Sequence, residues 1–318
     1  MKITGVLPVY NGEEFIDMSL PLILRNLNTD DELVVINNGS TDDSYRKLEE
    51  WSNIDSRINL ISTKTPGLVD ALNLGIAESC NNWIARFDID DCYEPDRLKY
   101  QRVALGEKTV AIFTDYDFFS SSHNYLGTMP SAVDANAVAV SLISSQRTAH
   151  PSVLFNKEAV INAGGYRDSD FPAEDLSLWL RMSRLGDLIS IPKTLVHYRL
   201  STGSITGTKR NESKKITRKL LIDIGINQKN TQSLIENFDN VIGLYKKCNY
   251  AHTRELLVLR DLYYLSKSSN TETKTKRKIN QLLIRSIPKR ALSISNLLTI
   301  KLLHKEQDLR NKVRNNML

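Results

Sequence analysis

Residues 88–91 read Asp88-Ile89-Asp90-Asp91, three carboxylates in four positions. Such a group repels itself unless a cation relieves it. Mg²⁺ and Mn²⁺ prefer oxygen ligands. Mg²⁺ commonly takes one or two protein carboxylates and completes its shell with phosphate oxygens and water. The tetrad therefore suits a divalent ion riding on a diphosphate, with an acidic turn ahead of the next helix as the plainer alternative. Three further sets carry polar chemistry. In PVYNGEE, Pro8 and Tyr10 could shape a slot for a planar base, the tyrosine ring offering a face, and Glu13 could accept from base or ribose. In INNGSTDD, Asn37 and Asn38 each bring one acceptor and two donors. The same stretch also reads as a helix start, with Ser40 or Thr41 as cap and Asp42 and Asp43 favouring the helix dipole. Glu174-Asp175 precede LSLWLRM, carboxylates near a helix start that also read as its N-cap; spacing alone does not bring them to the first cluster.

The elements that must position these residues follow from hydrophobic pattern. Residues 2–9 (KITGVLPV), 32–37 (ELVVIN), 58–62 (INLIS) and 82–88 (NWIARFD) read as strands. Between them lie helical patterns: 13–27, a helix running to about Trp51, and Leu68–Glu78 entered through Pro66-Gly67. Alternating strands and helices with short loops imply a mostly parallel sheet flanked by helices. In such sheets ligands bind beyond the carboxyl ends of the strands. Pro8 to Asn11, Asn37 to Ser40 and Asp88 to Asp91 all fall at such ends. Further on, Pro95-Asp96 opens a helix, TVAIF at 109–113 is a strand and Gly164-Gly165 is a turn; 150–205 is a mixture.

A chain of 318 residues, 41% apolar and 25% charged, has the bulk of a globular protein with room for a second, smaller domain. Cys80, Cys92 and Cys248 are odd in number and widely separated, which argues against disulfides and zinc and favours a reducing, cytoplasmic setting. The N-terminus lacks the apolar core of a signal peptide, and no apolar run approaches the roughly 20 residues of a membrane-spanning helix. The net charge of +5 divides unevenly: residues 1–206 carry 18 basic and 28 acidic residues, and 207–318 carry 24 and 9. That contrast sets the boundary between a first domain, 1–206, and a basic region, 207–318. In the latter, leucines such as Leu220, Leu256 and Leu282 recur among Lys and Arg, reading as several helices.

Taken in order, PVYNGEE, NNGSTDDS, GLVDALNLGI, WIARFDIDDCYEPDRLKYQ, HPSVLF, AGGY, EDLSLWLRM and HYRLSTGSIT resemble the family 2 glycosyltransferases of GT-A fold, nearest to bacterial enzymes that build O-antigens, capsules and related surface glycans. The resemblance covers about 1–206. It implies a nucleotide-sugar donor, a UDP-sugar before dTDP or GDP, bound by Pro8, Tyr10, Glu13, Asn37, Asn38, Asp88 and Asp91. Asn37 and Asn38 stand where many members have two Asp, one of which reads the uracil; an amide oxygen can still accept from uracil N3. The resemblance implies Mn²⁺ or Mg²⁺ on Asp90 and Asp88, with His197 a further candidate, although the usual histidine falls nearer Ser201. It implies Asp175 as catalytic base with Glu174 its neighbour, and inverting transfer of a hexose or N-acetylhexosamine to a glycan hydroxyl. His150, Trp179 and Arg181 are candidates for the acceptor side; each also reads as a structural residue.

Acceptors in this family are often lipid-linked. The basic stretches Lys274–Lys278 and 282–314 therefore suggest an anionic membrane surface as partner, at the inner face of the cytoplasmic membrane. A solvated helical cap or an oligomer contact is the alternative. A nucleic-acid partner is disfavoured by the acidic first part and by the lack of a recognition motif. A dinucleotide oxidoreductase would need GxGxxG after the first strand, which is absent. A sugar nucleotidyltransferase would need a Gly-rich basic loop there. A non-catalytic scaffold of the same fold is the rival from outside enzymology.

Overall fold

In a computed structural model, residues 1–122, 124–131, 135–144, 148–200 and 208–223 are described. The chain divides into two compact units, Met1–Ala135 with Arg147–Leu200, and Asn136–Gln146 with Ser201–Leu318. Of the second unit, the described elements are α5 (Ala135–Ser144), all but its first residue, and α8 (Arg210–Asp223). The basic stretches at 274–278 and 282–314 and Cys248 lie outside the described residues. No helix among the described residues is long and apolar enough to cross a membrane.

The first unit is α/β, a mixed sheet with flanking helices. It opens with β1 (Ile3–Val9), α1 (Glu13–Asn26), β2 (Glu32–Asn38), α2 (Ser44–Ile54), β3 (Ile58–Thr63), α3 (Leu68–Glu78) and β4 (Trp83–Arg86). These four strands are parallel, in the order β3-β2-β1-β4. All of β1 is buried, as expected of a continuous apolar run in a sheet covered on both faces. Gly75 lets α3 approach closely: a Cβ there would lie 2.5 Å from Val6 Cγ1 and 2.8 Å from Ile36 Cδ1.

Beyond β4 the sheet ceases to be parallel. The remaining elements are β5 (Cys92–Tyr93), α4 (Arg97–Val103), β6 (Thr109–Ser120), β7 (Tyr125–Met129), β8 (Leu154–Asn156), α6 (Lys157–Asn162), α7 (Glu174–Met182) and β9 (Asp187–Leu200). The order continues β4-β8-β6-β9-β5, with β7 on β6. β8 runs antiparallel to both β4 and β6, whereas β9 runs parallel to β6 and antiparallel to β5. The expected strand at 109–113 is thus only the start of a much longer one.

A buried cation fastens this junction. Arg97 Nη1 donates to Arg86 O (3.1 Å), Nη2 to Val153 O (2.8 Å) and Nε to Gln101 Oε1 (3.2 Å). Gln101 in turn donates to Ile112 O and Ser152 O, both at 2.9 Å. The guanidinium lies over the rings of Phe87 and Tyr93. Burial pulls its pKa down to about 10, which leaves it charged at neutral pH. Neutral oxygens therefore satisfy a buried charge and tie α4 to β4, β6 and the lead-in to β8.

Candidate functional site

The acidic tetrad follows β4, where the strand has ended and the chain must turn. Two contacts fix the turn at its root. Asp88 N donates to the Tyr93 hydroxyl (2.6 Å), which donates back to Asp88 O (3.1 Å). Arg199, near the end of β9, fixes its far side: its backbone N–H donates to Asp91 Oδ1 (2.8 Å), and its Nε donates to Asp90 O (2.9 Å). The three carboxylates are therefore not equivalent. Asp88 is half-buried and paired with Arg86, Nη2 to Oδ1 at 2.6 Å. Asp90 is half-buried; burial, then the Asp88 charge, push its pKa up to about 6. Asp91 is 1% exposed, and burial and both neighbouring acids push it well above the usual range. Expected beside the donor sugar, Asp91 is instead turned into the protein, because β9 supplies a backbone donor there.

Among the described residues no group of three or more His, Cys, Asp or Glu is gathered as a ready-made metal shell. Asp90 and Asp88 can still supply the one or two carboxylates that Mg²⁺ or Mn²⁺ takes when phosphates complete its shell. Burial, and after it the Asp88 charge, raise Asp90 to about 6; a cation would offset both, so the residues fit the ion. His197 does not join them in this structure. Its Nε2 lies 3.0 Å from Glu94 Oε1, its Nδ1 lies 3.6 Å from Asp117 Oδ2, and its ring stands edge-on to Phe119.

At the ends of β1 and β2 two loops are sewn together. Asn11 N donates to Ser40 Oγ, Gly12 N to Ser44 Oγ and Glu13 N to Asp42 Oδ2. In return, Thr41 N donates to Asn11 Oδ1 and Asp43 N to Glu13 Oε2. Ser40 and Thr41 are committed here and do not cap α2, which begins at Ser44. Pro8 is buried in register with Ile36, and Tyr10 stands 51% exposed at the mouth. Asn38 Oδ1 accepts from Gly67 N (3.0 Å) and Thr63 Oγ1 (3.4 Å), so this amide clamps the approach to α3. Asn37 differs: its Nδ2 reaches Ser62 Oγ at 3.4 Å, while its Oδ1 is a buried acceptor without a partner.

Glu174 and Asp175 open α7, with Ala173 rather than either acid at the cap position. Asp175 Oδ1 accepts from Leu176 N at 2.6 Å. Burial, then the neighbouring Asp175, push Glu174 up to about 8. Burial raises Asp175 as well, opposed by local backbone N–H groups and by the Arg86 charge. The Asp88 carboxylate acts on both acids. The fold thus brings the start of α7 within electrostatic reach of the tetrad, which spacing in the sequence could not establish.

Around this second acid pair lie the remaining candidates. His150 Nε2 and the Tyr166 hydroxyl are hydrogen-bonded at 2.7 Å. Burial holds His150 well below its usual pKa, hence neutral. Trp179 is fully buried, with Phe113 and Phe155 against its ring and His150 edge-on, so it is a core residue and lines no groove. Arg181 donates to Ala163 O, Gly165 O and Ser177 O, which makes it the fastener of the Gly164-Gly165 turn and not an acceptor contact.

Arg86, Tyr93, Tyr166 and Arg199 belong to the site and were not singled out from the sequence. The one available signal was Arg86 itself, a cation inside an otherwise apolar strand two residues before the tetrad.

The model of glycosyl transferase family 2 matches residues 5–138. An uncharacterized glycosyltransferase of Haemophilus influenzae is 31% identical over 264 residues, 74% of this chain and 79% of that protein. The O-antigen biosynthesis glycosyltransferase WbnJ of Escherichia coli is 25% identical over 57% of this chain and 71% of its own length. Several other relatives are longer, and the match spans between 18% and 34% of them. Among solved structures, TarS 1–349 of S. aureus in complex with UDP-GlcNAc superposes with a TM-score of 0.61 at 14% identity, over 96% of this chain and 92% of that one. The mannosyltransferase PcManGT of Pyrobaculum calidifontis in complex with GDP-Man and Mn²⁺ gives 0.54 at 16% identity, over 99% and 83%.

Proposed function

Because this chain belongs to the family 2 glycosyltransferases, we propose that it is an inverting, metal-dependent hexosyltransferase of bacterial surface-polysaccharide synthesis. The donor is a nucleotide-sugar, a UDP-sugar first, carrying a hexose or N-acetylhexosamine. The acceptor is a hydroxyl of a lipid-linked glycan, met at the cytoplasmic face of the membrane, where the basic C-terminal region faces anionic lipid. The observation that carries this reading is the meeting of two acid groups of different environment: Asp88 and Asp90 after β4, and Glu174 and Asp175 at the start of α7. The relationship to an O-antigen glycosyltransferase supports the pathway, and the nucleotide-sugars named with TarS and PcManGT support the donor class.

In this reading Tyr10 covers the base, and the idle Asn37 oxygen accepts from its N–H edge. Asp90, with Asp88, would hold Mn²⁺ or Mg²⁺, which when bound offsets negative charge on the departing diphosphate. Asp175 accepts the proton of the acceptor hydroxyl as that oxygen attacks the anomeric carbon from the side opposite the phosphate. The carbon–oxygen bond to the diphosphate breaks in the same step, so configuration inverts without a covalent intermediate. Glu174, up to about 8, keeps its proton at neutral pH.

The test is a calorimetric titration of UDP, dTDP and GDP, each with Mn²⁺ and with chelator, on wild type and Asp90→Ala. One nucleotide should bind only with metal and only to wild type. If none binds, the donor reading fails and a non-catalytic scaffold takes its place.

A further inference from the structure

Arg86 closes β4 with a side chain only 2% exposed. Its Nη2 meets Asp88, yet Nε and Nη1 have no hydrogen-bond partner. A buried guanidinium with idle donors is uncommon, because each N–H taken from water without replacement leaves its desolvation uncompensated. Arg97, eleven positions on, shows the usual outcome, with all three kinds of nitrogen engaged.

The surroundings of Arg86 say what the unused capacity is for. On one side its charge acts on Asp88, Asp90 and Asp91; on the other it acts on Glu174 and Asp175, and on the Tyr166–His150 pair. It is the cation that weighs most on both Glu174 and Asp175. The nearby arginines are already committed, Arg199 to Asp90 O and Ser121 O, and Arg181 to the carbonyls of Ala163, Gly165 and Ser177. Asp88, by contrast, keeps 30% of its side chain exposed and can be drawn outward.

We propose that Arg86 is a positioning residue that links the two acid sites. With the donor site empty it holds Asp88; when a bound diphosphate and its cation draw Asp88 away, its guanidinium is left to hold and orient Asp175 for the acceptor. Filling the donor side thereby readies the acceptor side. The inference rests on the reading of Asp175 as base and Asp88 as donor-side ligand, and adds the residue through which one informs the other.

The test is a double-mutant cycle on Arg86→Gln, Asp175→Asn and their combination, with Arg86→Lys as the conservative variant. Three quantities are read: hydrolysis of UDP-glucose and UDP-N-acetylglucosamine with Mn²⁺, donor KM, and UDP affinity by calorimetry. Arg86→Gln should lower kcat about 30-fold or more while KM and UDP affinity stay within about 3-fold. On the Asp175→Asn background it should cost at most a further factor of about 3, since residues acting as a unit are non-additive. Arg86→Lys should recover at least about 5-fold of the loss, and it carries the same cycle should Arg86→Gln melt early. Additive losses, or UDP affinity falling in step with kcat, would overturn the proposal by confining Arg86 to the donor side. Asp175→Asn as fast as wild type would instead remove the base assignment, and no wild-type hydrolysis would remove the donor reading; each overturns the link, and each is told apart by its own control.

Discussion

Asp91 and Arg199 stand 108 positions apart, yet Asp91 Oδ1 accepts the Arg199 backbone N–H at 2.8 Å. The acidic turn therefore hangs from the end of β9 through one oxygen of its third carboxylate, which is buried. Asp90, one residue earlier, is only half-buried, and in the proposed function it would hold the ion together with Asp88.

The two neighbours should separate cleanly by substitution. Asp91→Ala strands a buried N–H and should cost about 1–3 kcal/mol, seen as a melting temperature lower by several degrees. Asp90→Ala removes an acid held at unfavourable pKa and should leave the melt unchanged or raised, while abolishing Mn²⁺-dependent nucleotide binding. The reverse pattern would exchange their roles.

Cation binding should follow the Asp90 proton. With Asp90 raised to about 6, chiefly by burial and then by Asp88, the ion must displace a proton below that pH. UDP affinity with Mn²⁺ should weaken by about tenfold per unit as pH drops below about 6, and level off above 7. A flat profile from pH 5 to 8 would mean that Asp90 does not ligate the ion.

Glu174 makes the free protein less stable in alkali. Its pKa in the folded chain, about 8, lies above the 4.5 of an ordinary glutamate, so the native state binds the extra proton. The resulting stabilisation is complete below about pH 4.5 and is lost as pH rises through about 8. Melting temperatures of wild type and Glu174→Gln, compared from pH 5 to 9, should converge at the acid end. Toward pH 9 the variant should become the more stable.

Asp175→Asn keeps the shape and the acceptor for Leu176 N but cannot take a proton. Transfer or hydrolysis should slow by about 10²- to 10⁴-fold, with UDP affinity unchanged within error. Lost nucleotide binding would show that Asp175 serves the donor instead.

Gly75→Ala tests how closely α3 lies on the sheet. Alanine gains up to about 1 kcal/mol of helix propensity. Its methyl would meet Val6 Cγ1 at 2.5 Å and Ile36 Cδ1 at 2.8 Å, and overpacking typically costs about 1–3 kcal/mol. The overlap outweighs the propensity, and denaturant midpoints should fall.

The first half of the sheet was open to reading because its strands are apolar runs separated by short loops; Leu68–Glu78 emerged with the expected ends. The second half was not. β6 and β9 lack one regular period, since residues such as Asp115, Asp117 and Arg199 face particular partners and not simply water or core. The short β8 inserts antiparallel between β4 and β6 through pairings no local pattern announces. At the site, the acids were visible because three carboxylates at a strand end are chemically conspicuous. Arg86 was hidden because one cation among apolar residues reads as an accident until its surroundings are known. The start of α2 was misplaced for a related reason: Ser40 and Thr41 look like caps, but the loop after β1 claims them.

That claim has a consequence for anyone wishing to re-engineer this end of the sheet. Among the hydrogen bonds between the loops after β1 and β2, five join a side chain of one to a backbone N–H of the other. Neither can be transplanted alone without stranding its neighbour's donors. The two must travel as one cassette, and a library that varies both together will contain folded members that a library varying either by itself would not.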